Sequence, residues 1–179
     1  MRQPLRSRSS VEWYTPPFLL ARVRAVLGGR IHLDPASCAR AQRVVQARTW
    51  YGQGEGALTR TWSGPTWLNP PFTPAALLTR FVRKLLAEYS TRRVPAALAL
   101  VPNATETAWC QELLELASAC WLKRRVSFWH RHPGVPISGN PRGSVLAYLG
   151  PHADRFVEVC GDLGVITPPG NSWADREVA

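Results

Sequence analysis

The sequence predicts a single α/β domain built on a mainly parallel, doubly wound sheet, with antiparallel strands late in the chain. Three observations predict it. Apolar runs of strand length alternate with stretches whose apolar residues recur at helical spacing, the pattern of strand-helix-strand units. The 179 residues are enough for one domain with a substantial core and too few for two of ordinary size. The 45% apolar fraction argues against a disordered chain, and no run of about 18 apolar residues offers a membrane span. The start, "MRQPLRSRSS", is basic and leads into no apolar stretch, so residues 1–11 are expected to be a flexible basic arm rather than a signal peptide. A folded domain is expected over 12–166 and a Pro/Gly-bearing tail over 167–179, in a cytoplasmic protein with no membrane partner.

The elements follow in order. Thr15 and Pro16 supply an N-cap and a first helical position; Leu19, Leu20, Val23, Val26 and Leu27 then recur helically until Gly28-Gly29 stops the run. "RIHLDP" alternates apolar and polar residues and breaks at Asp34-Pro35, a strand ending on a carboxylate. Between Arg40 and Trp62 the pattern weakens. "GQGEG", Gly52 to Gly56, imitates a nucleotide-binding glycine loop, but it leads into "ALTRTW" instead of opening a helix, so a mobile loop is expected; no phosphate-binding G-x-x-x-x-G-K-[ST] loop occurs.

"TWLNPPF", residues 66–72, is a short apolar run ending on a rigid polar corner, after which Thr73 and Pro74 supply a cap and a first turn. Leu78, Phe81, Val82, Leu85, Leu86 and Tyr89 form the apolar stripe of the following helix. "VPAALALVP" fits a buried parallel strand. Asn103 and Glu106 stand at a capping-box-like helix start, continued by Trp109, Leu113, Leu116 and Ala117. "CWLK" and "VSFW" are strands around Arg124-Arg125, "SVLAYL" is a strand, and "HADRFVEVCGDLG" is a final short helix.

With 22 Lys+Arg against 12 Asp+Glu, the net charge is +10, and polyanions are the natural partners. Cys38, Cys110, Cys120 and Cys160 are widely spaced, without a Cys-x-x-Cys pair, and are expected to be buried thiols. The histidines of "HRH", His130 to His132, have no nearby carboxylate, so no metal site is expected.

Chemistry concentrates at two strand ends, Asp34 and Asn69, which in such a sheet face a crevice beyond the strands. The Asn69 carbonyl and the neighbouring proline carbonyl form a cluster of fixed acceptors. Their natural guest is a planar group bearing an NH2, with its two hydrogens shared between the Asn69 side-chain oxygen and the Pro70 backbone oxygen, and its ring against Phe72. Such an amine is a poor nucleophile because its lone pair is delocalised; two acceptors pull it toward a tetrahedral, more reactive shape. A methyl carbon on a sulfonium held in line would then need only orientation and charge stabilisation. A base in a duplex must flip out to reach such a corner, at a cost of a few kcal/mol that stacking on one aromatic, worth about 1–3 kcal/mol, offsets. Asn-Pro corners are also ordinary turns, and the four residues leave the substrate open.

"NPPF" resembles the catalytic Asn/Asp-Pro-Pro-aromatic tetrapeptide of S-adenosylmethionine-dependent amino methyltransferases. Five further stretches, "EWYTPP", "LDPAS", "GALTRTW", "LVPNATETAW" and "GNPRGSVLAYL", resemble in order the phage-type DNA N6-adenine methyltransferases, over about Glu12 to Leu149. The resemblance implies a Rossmann-like methyltransferase fold for the 12–166 domain, S-adenosylmethionine as cofactor, double-stranded DNA as partner, and a place on DNA in a bacterial host cell. It implies that Asn69, Pro70, Pro71 and Phe72 are catalytic. Thr15, Pro16, Asp34, Pro35, Ala36, Ser37 and Asn69 would surround the methyl donor, and Thr105, Thr107, Arg124, Arg125 and Arg142 would contact DNA. Thr15 is equally a helix cap, Asp34 a turn former, Thr105 and Thr107 a helix start, and either arginine of the pair a solvated charge.

Two departures stand out: "DPAS" lacks the glycines that follow the acidic motif in many amino methyltransferases, and Arg124 stands where the family tends to have glycine. Sequence specificity is expected from loops around 130–143 or from the termini. The alternatives are an amino methyltransferase for RNA adenine, cytosine or protein glutamine, and an inactive DNA-binding relative.

Overall fold

The computed structural model describes residues 14–129 and 143–172. The basic arm, His130 to His132, Arg142 and the end of the tail lie outside the described residues. Among the described residues five helices and seven strands follow in order: α1 (Pro17–Val26), β1 (Leu33–Asp34), α2 (Ala39–Val45), β2 (Thr49–Trp50), β3 (Thr66–Leu68), α3 (Ala75–Ser90), β4 (Ala97–Pro102), α4 (Ala108–Leu116), β5 (Ser118–Leu122), β6 (Ser144–Leu149), α5 (Ala153–Cys160) and β7 (Gly164–Thr167). The strands form one sheet in the order β2-β1-β3-β4-β6-β5-β7. β1, β2, β3 and β4 run parallel, and β6 and β7 introduce antiparallel pairings, as the sequence predicts.

Helices cover both faces. Ala97, Ala99 and Val101 of β4 pack with Leu78, Val82, Leu85, Trp109 and Leu113 of α3 and α4. Leu98 and Leu100 face the opposite layer, with Leu20 and Val23 of α1, Val45 of α2 and Phe156 of α5. β4 is buried along its whole length, which is why its sequence is an unbroken apolar run with no polar alternation.

Three helix starts differ from expectation. Pro16, not Thr15, is the N-cap of α1, because the residue before Pro17 is pushed into an extended conformation. Pro74 is likewise the N-cap of α3, with ψ of 153° and no side-chain cap. α4 starts at Ala108 beyond a turn in which the Thr107 hydroxyl donates to the Ala104 carbonyl at 2.7 Å, so Asn103 and Glu106 build no capping box. At its other end α1 closes as expected, on Gly28 and Gly29 with φ of +81° and +97°.

α2 and β2 occupy the stretch where the pattern weakens. α2 is seven residues long; the Ala41 N–H donates to Cys38 Sγ at its start, and Gln46 adopts a left-handed conformation at its end. Cys38 is therefore half-buried in a capping role, whereas Cys110, Cys120 and Cys160 are buried thiols. "VSFW" is not a strand: only Trp129 makes a bridge, with Tyr14. β7, at the sheet edge beside β5, is a strand that the sequence pattern does not predict.

Candidate functional site

The carboxyl ends of β1, β2, β3, β4 and β5 lie along one edge of the sheet, because β5 runs antiparallel to β6 as β4 does. From β1 the chain moves outward to β2, then returns to the other side of β1 and proceeds through β3 to β4. Strand order thus reverses between β1 and β3, the switch point at which open α/β sheets bind ligands. Asp34 ends β1 and Asn69 follows β3, so the two predicted polar strand ends flank that crevice.

Asn69 is held from across the sequence. Its Nδ2 donates to Thr15 Oγ1 at 3.1 Å, so the predicted helix cap is instead a partner of the amide. The Thr15 backbone is fixed in turn: its carbonyl accepts from Trp129 Nε1 at 3.0 Å, and Tyr14 exchanges two backbone hydrogen bonds with Trp129. The Tyr14 and Trp129 rings pack with centroids 4.6 Å apart. An amide anchored through its nitrogen on Thr15 turns its Oδ1 away from that residue. Pro16, Pro35 and Pro70 are buried, Pro71 is exposed, and the half-buried Phe72 ring meets Phe128 edge-on at 6.2 Å.

Asp34 is 2% exposed and engaged within its own neighbourhood. Gln42 Nε2 donates to its Oδ2 at 2.9 Å and to Ser37 Oγ at 2.7 Å, while the Ala36 N–H reaches Oδ1 at 3.4 Å. Burial pushes the Asp34 carboxyl up to about 6, against the opposing pull of hydrogen bonds from Ser37, Ala36 and Gln42. The turn over 35–37 is further tied to the end of β2, where the Ser37 N–H donates to the Tyr51 carbonyl at 2.9 Å. Asp34 thus ties the 35–37 turn to α2, and Ala36, Ser37 and Tyr51 are partly exposed at the carboxyl ends of β1 and β2.

A family model described as DNA N-6-adenine-methyltransferase (Dam) matches residues 5–160 of the 179. The chain belongs to this Dam family. The family's general activity, methylation of adenine in DNA, is accordingly that of this chain. No curated protein matches the chain.

In this Dam family member Thr105 and Thr107 follow β4, and Arg124 and Arg125 follow β5, so these described residues among those expected at DNA lie on the same edge of the sheet as Asn69. Thr105 is exposed in the turn after β4; the Thr107 hydroxyl is taken by Ala104, and the Thr105 carbonyl accepts from Gln111 Nε2 at 2.6 Å. Arg124 and Arg125 are exposed immediately after β5. No group of three His, Cys, Asp or Glu suited to a metal forms among the described residues, and no helix among them is long and apolar enough to cross a membrane.

Four participants escape sequence reasoning: Tyr14, Gln42, Trp129 and Ser144. Trp129 sits 114 residues from Thr15, and only the tertiary fold joins them. Ser144 opens β6 at this edge, opposite Pro102, and its buried Oγ has no hydrogen-bond partner among the described residues. A buried hydroxyl without a partner is uncommon enough to call for an explanation.

Proposed function

We propose that this chain flips an adenine out of duplex DNA into the crevice between β1 and β3 and moves a methyl group from S-adenosylmethionine to its N6 amino group. The observation that carries the proposal is the anchored amide: Asn69 held on Thr15 Oγ1 at 3.1 Å, beside two prolines and Phe72, at the switch point of the sheet. The crevice fits the cofactor in kind, with a polar turn at 34–37, the half-buried Tyr51 ring on one side and Asn69 with Phe72 on the other. When bound, S-adenosylmethionine supplies an electrophilic methyl carbon.

The residues of the chain do the rest. Phe72 lies against the extruded base, and its stacking offsets the few kcal/mol of unstacking and unpairing. Asn69 Oδ1 and the Pro70 carbonyl accept the two amino hydrogens, which selects an NH2-bearing base over one with a ring carbonyl at that position. As the nitrogen gains its bond to the methyl carbon, whose bond to the sulfonium sulfur breaks to leave a neutral thioether, it becomes positively charged, and the same two oxygens stabilise that charge until one proton leaves to solvent. Thr15 keeps the amide from rotating, so Oδ1 is in place before the base arrives. Thr105, Thr107, Arg124, Arg125 and Arg142 serve as contacts to the DNA backbone, in keeping with the +10 charge.

Incubation of the purified chain with isotope-labelled S-adenosylmethionine and adenine-containing duplex tests the proposal. Label should appear at adenine N6, and Asn69→Ala should slow its appearance by about 10²–10³ while duplex affinity changes less than about threefold. Label on another base or on protein, or full turnover by Asn69→Ala, would reject it.

A further inference from the structure

Beyond the crevice, a half-open groove with a volume of about 150 Å³ lies between the start of α1 and the segment after β5. Its floor is Leu19, Leu122, Val126 and Leu163, and Lys123, Arg124 and Arg125 line its rim. Phe18 forms one wall and is 58% exposed, an unusual position for a phenylalanine on the second residue of a helix. The acidic member, Asp162, is paired with Arg22 by a two-pronged contact at 2.6 and 2.9 Å, which cancels its charge within the groove. An apolar lining bordered by the basic residues Lys123 and Arg124, beside an open aromatic ring, is complementary to a nucleotide: a flat base against phenylalanine and a phosphate at the border. At about 150 Å³ the space suits one ring rather than a whole nucleotide cofactor, for which pockets of roughly 300–1,000 Å³ are usual.

Both walls of this groove are wired to the proposed base-holding corner. Phe18 stands three residues from Thr15, the partner of Asn69, and Arg125 stands three residues from Phe128, the neighbour of Phe72. Three residues of chain span at most about 10 Å, the length of roughly three base-pair steps in a duplex. We infer that this groove is a second DNA-contact site, in which Phe18 stacks on a base flanking the flipped one while Lys123 and Arg124 hold the adjoining phosphates. The inference rests on the proposed function for its substrate, and it assigns to Phe18 and Lys123 a role in keeping the opened duplex from closing.

Equilibrium binding of a dye-labelled 20-base-pair duplex to the full chain, titrated across salt concentrations, tests it. Phe18→Ala should weaken binding roughly tenfold and Phe18→Trp should restore it, with unchanged thermal melting because the ring is exposed. Lys123→Ala should lower the slope of log affinity against log salt by about 1. A duplex carrying 2-aminopurine next to the target adenine should brighten more with Phe18→Ala than with the parent chain, because the flanking base loses its stacking partner. If both variants bind like the parent chain with the same salt slope while the parent methylates adenine, the groove is wrong and the proposed function stands. If the parent binds duplex, loses it with Phe18→Ala and yet methylates nothing, the groove stands as a contact to duplex DNA and the proposed function falls. No duplex binding by the parent chain at low salt overturns the groove.

Discussion

The two ends of the same sheet both bury a carboxylate, and they treat it in opposite ways. At the end where β3 and β4 begin, Glu88 of α3 is 1% exposed and surrounded by donors: Lys84 Nζ, Arg93 Nε and the Trp62 N–H. Burial works to raise its pKa, but the hydrogen bonds from Lys84, Arg93 and Trp62 outweigh that and hold it below the ordinary carboxylate range. At the end where β1 stops, Asp34 is just as buried, receives only amide and hydroxyl donors, and is pushed up to about 6. One carboxylate is neutralised by cations; the other is left in an unfavourable state by its surroundings. The cationic cluster around Glu88 ties α3 to the segment before β3.

Substitutions at the two ends sharpen that contrast, beginning with the largest effect. Asn69→Ala should lower single-turnover methylation by about 10²–10³, the scale set by loss of one preorganised group at a developing charge, while its melting temperature stays within a few degrees of the parent. Equal losses of rate and of stability would break the contrast. Glu88→Ala, at the opposite end, should reverse the pattern. Leaving two cations and a buried N–H without their partner should cost about 2–3 kcal/mol in urea unfolding, with single-turnover methylation of the folded fraction unchanged.

The two carboxylates should also oppose each other in pH. The folded-state pKa of Glu88 lies below its unfolded value, so its stabilisation is present above the unfolded pKa and is lost as pH falls through the folded one. Asp34 has a raised folded pKa, so the folded state binds more protons than the unfolded state between about pH 4 and 6, and stability falls as pH rises through that window. Asp34→Asn should therefore be more stable than the parent at pH 7.5, by about 1–2 kcal/mol after loss of part of its hydrogen bonding, with the gain shrinking toward pH 4. Unfolding titrations at pH 4, 5, 6 and 7.5 check both signs; a gain that grows on acidification would contradict the assignment.

Thr15→Val tests the smallest effect. It removes the hydroxyl that anchors Asn69 but keeps the shape and the backbone bond to Trp129. kcat should fall about tenfold with little change in KM for DNA, and Thr15→Ser should recover most of it. A matching fall in stability with no change in kcat would make Thr15 a structural residue only.

How much of this was legible beforehand follows from the range of each interaction. The long elements α1, α3 and β4 announce themselves, because ten, sixteen and six residues repeat a period often enough to be recognised. α2 and β2, with seven and two residues, do not, and neither does β7, whose burial is only partial. Asp34 and Asn69 could be placed at strand ends because proline marks where each strand stops. What stayed hidden is what joins distant segments: Asn69 to Thr15 across 54 residues, and Thr15 to Trp129 across 114. The start of α1 differs from expectation for a local reason, since the consecutive Pro16 and Pro17 shift the extended position onto Pro16 and leave the Thr15 hydroxyl to Asn69.

The most direct measurement is a crystal structure of the chain with a duplex containing its target adenine and a methyl donor analogue that cannot react. The adenine should lie outside the helix with N6 at about 2.9 Å from both Asn69 Oδ1 and the Pro70 carbonyl, and Asn69 Nδ2 should remain on Thr15. An adenine remaining stacked in the duplex, or an extruded one held by other residues with Asn69 turned away, would contradict the proposed function.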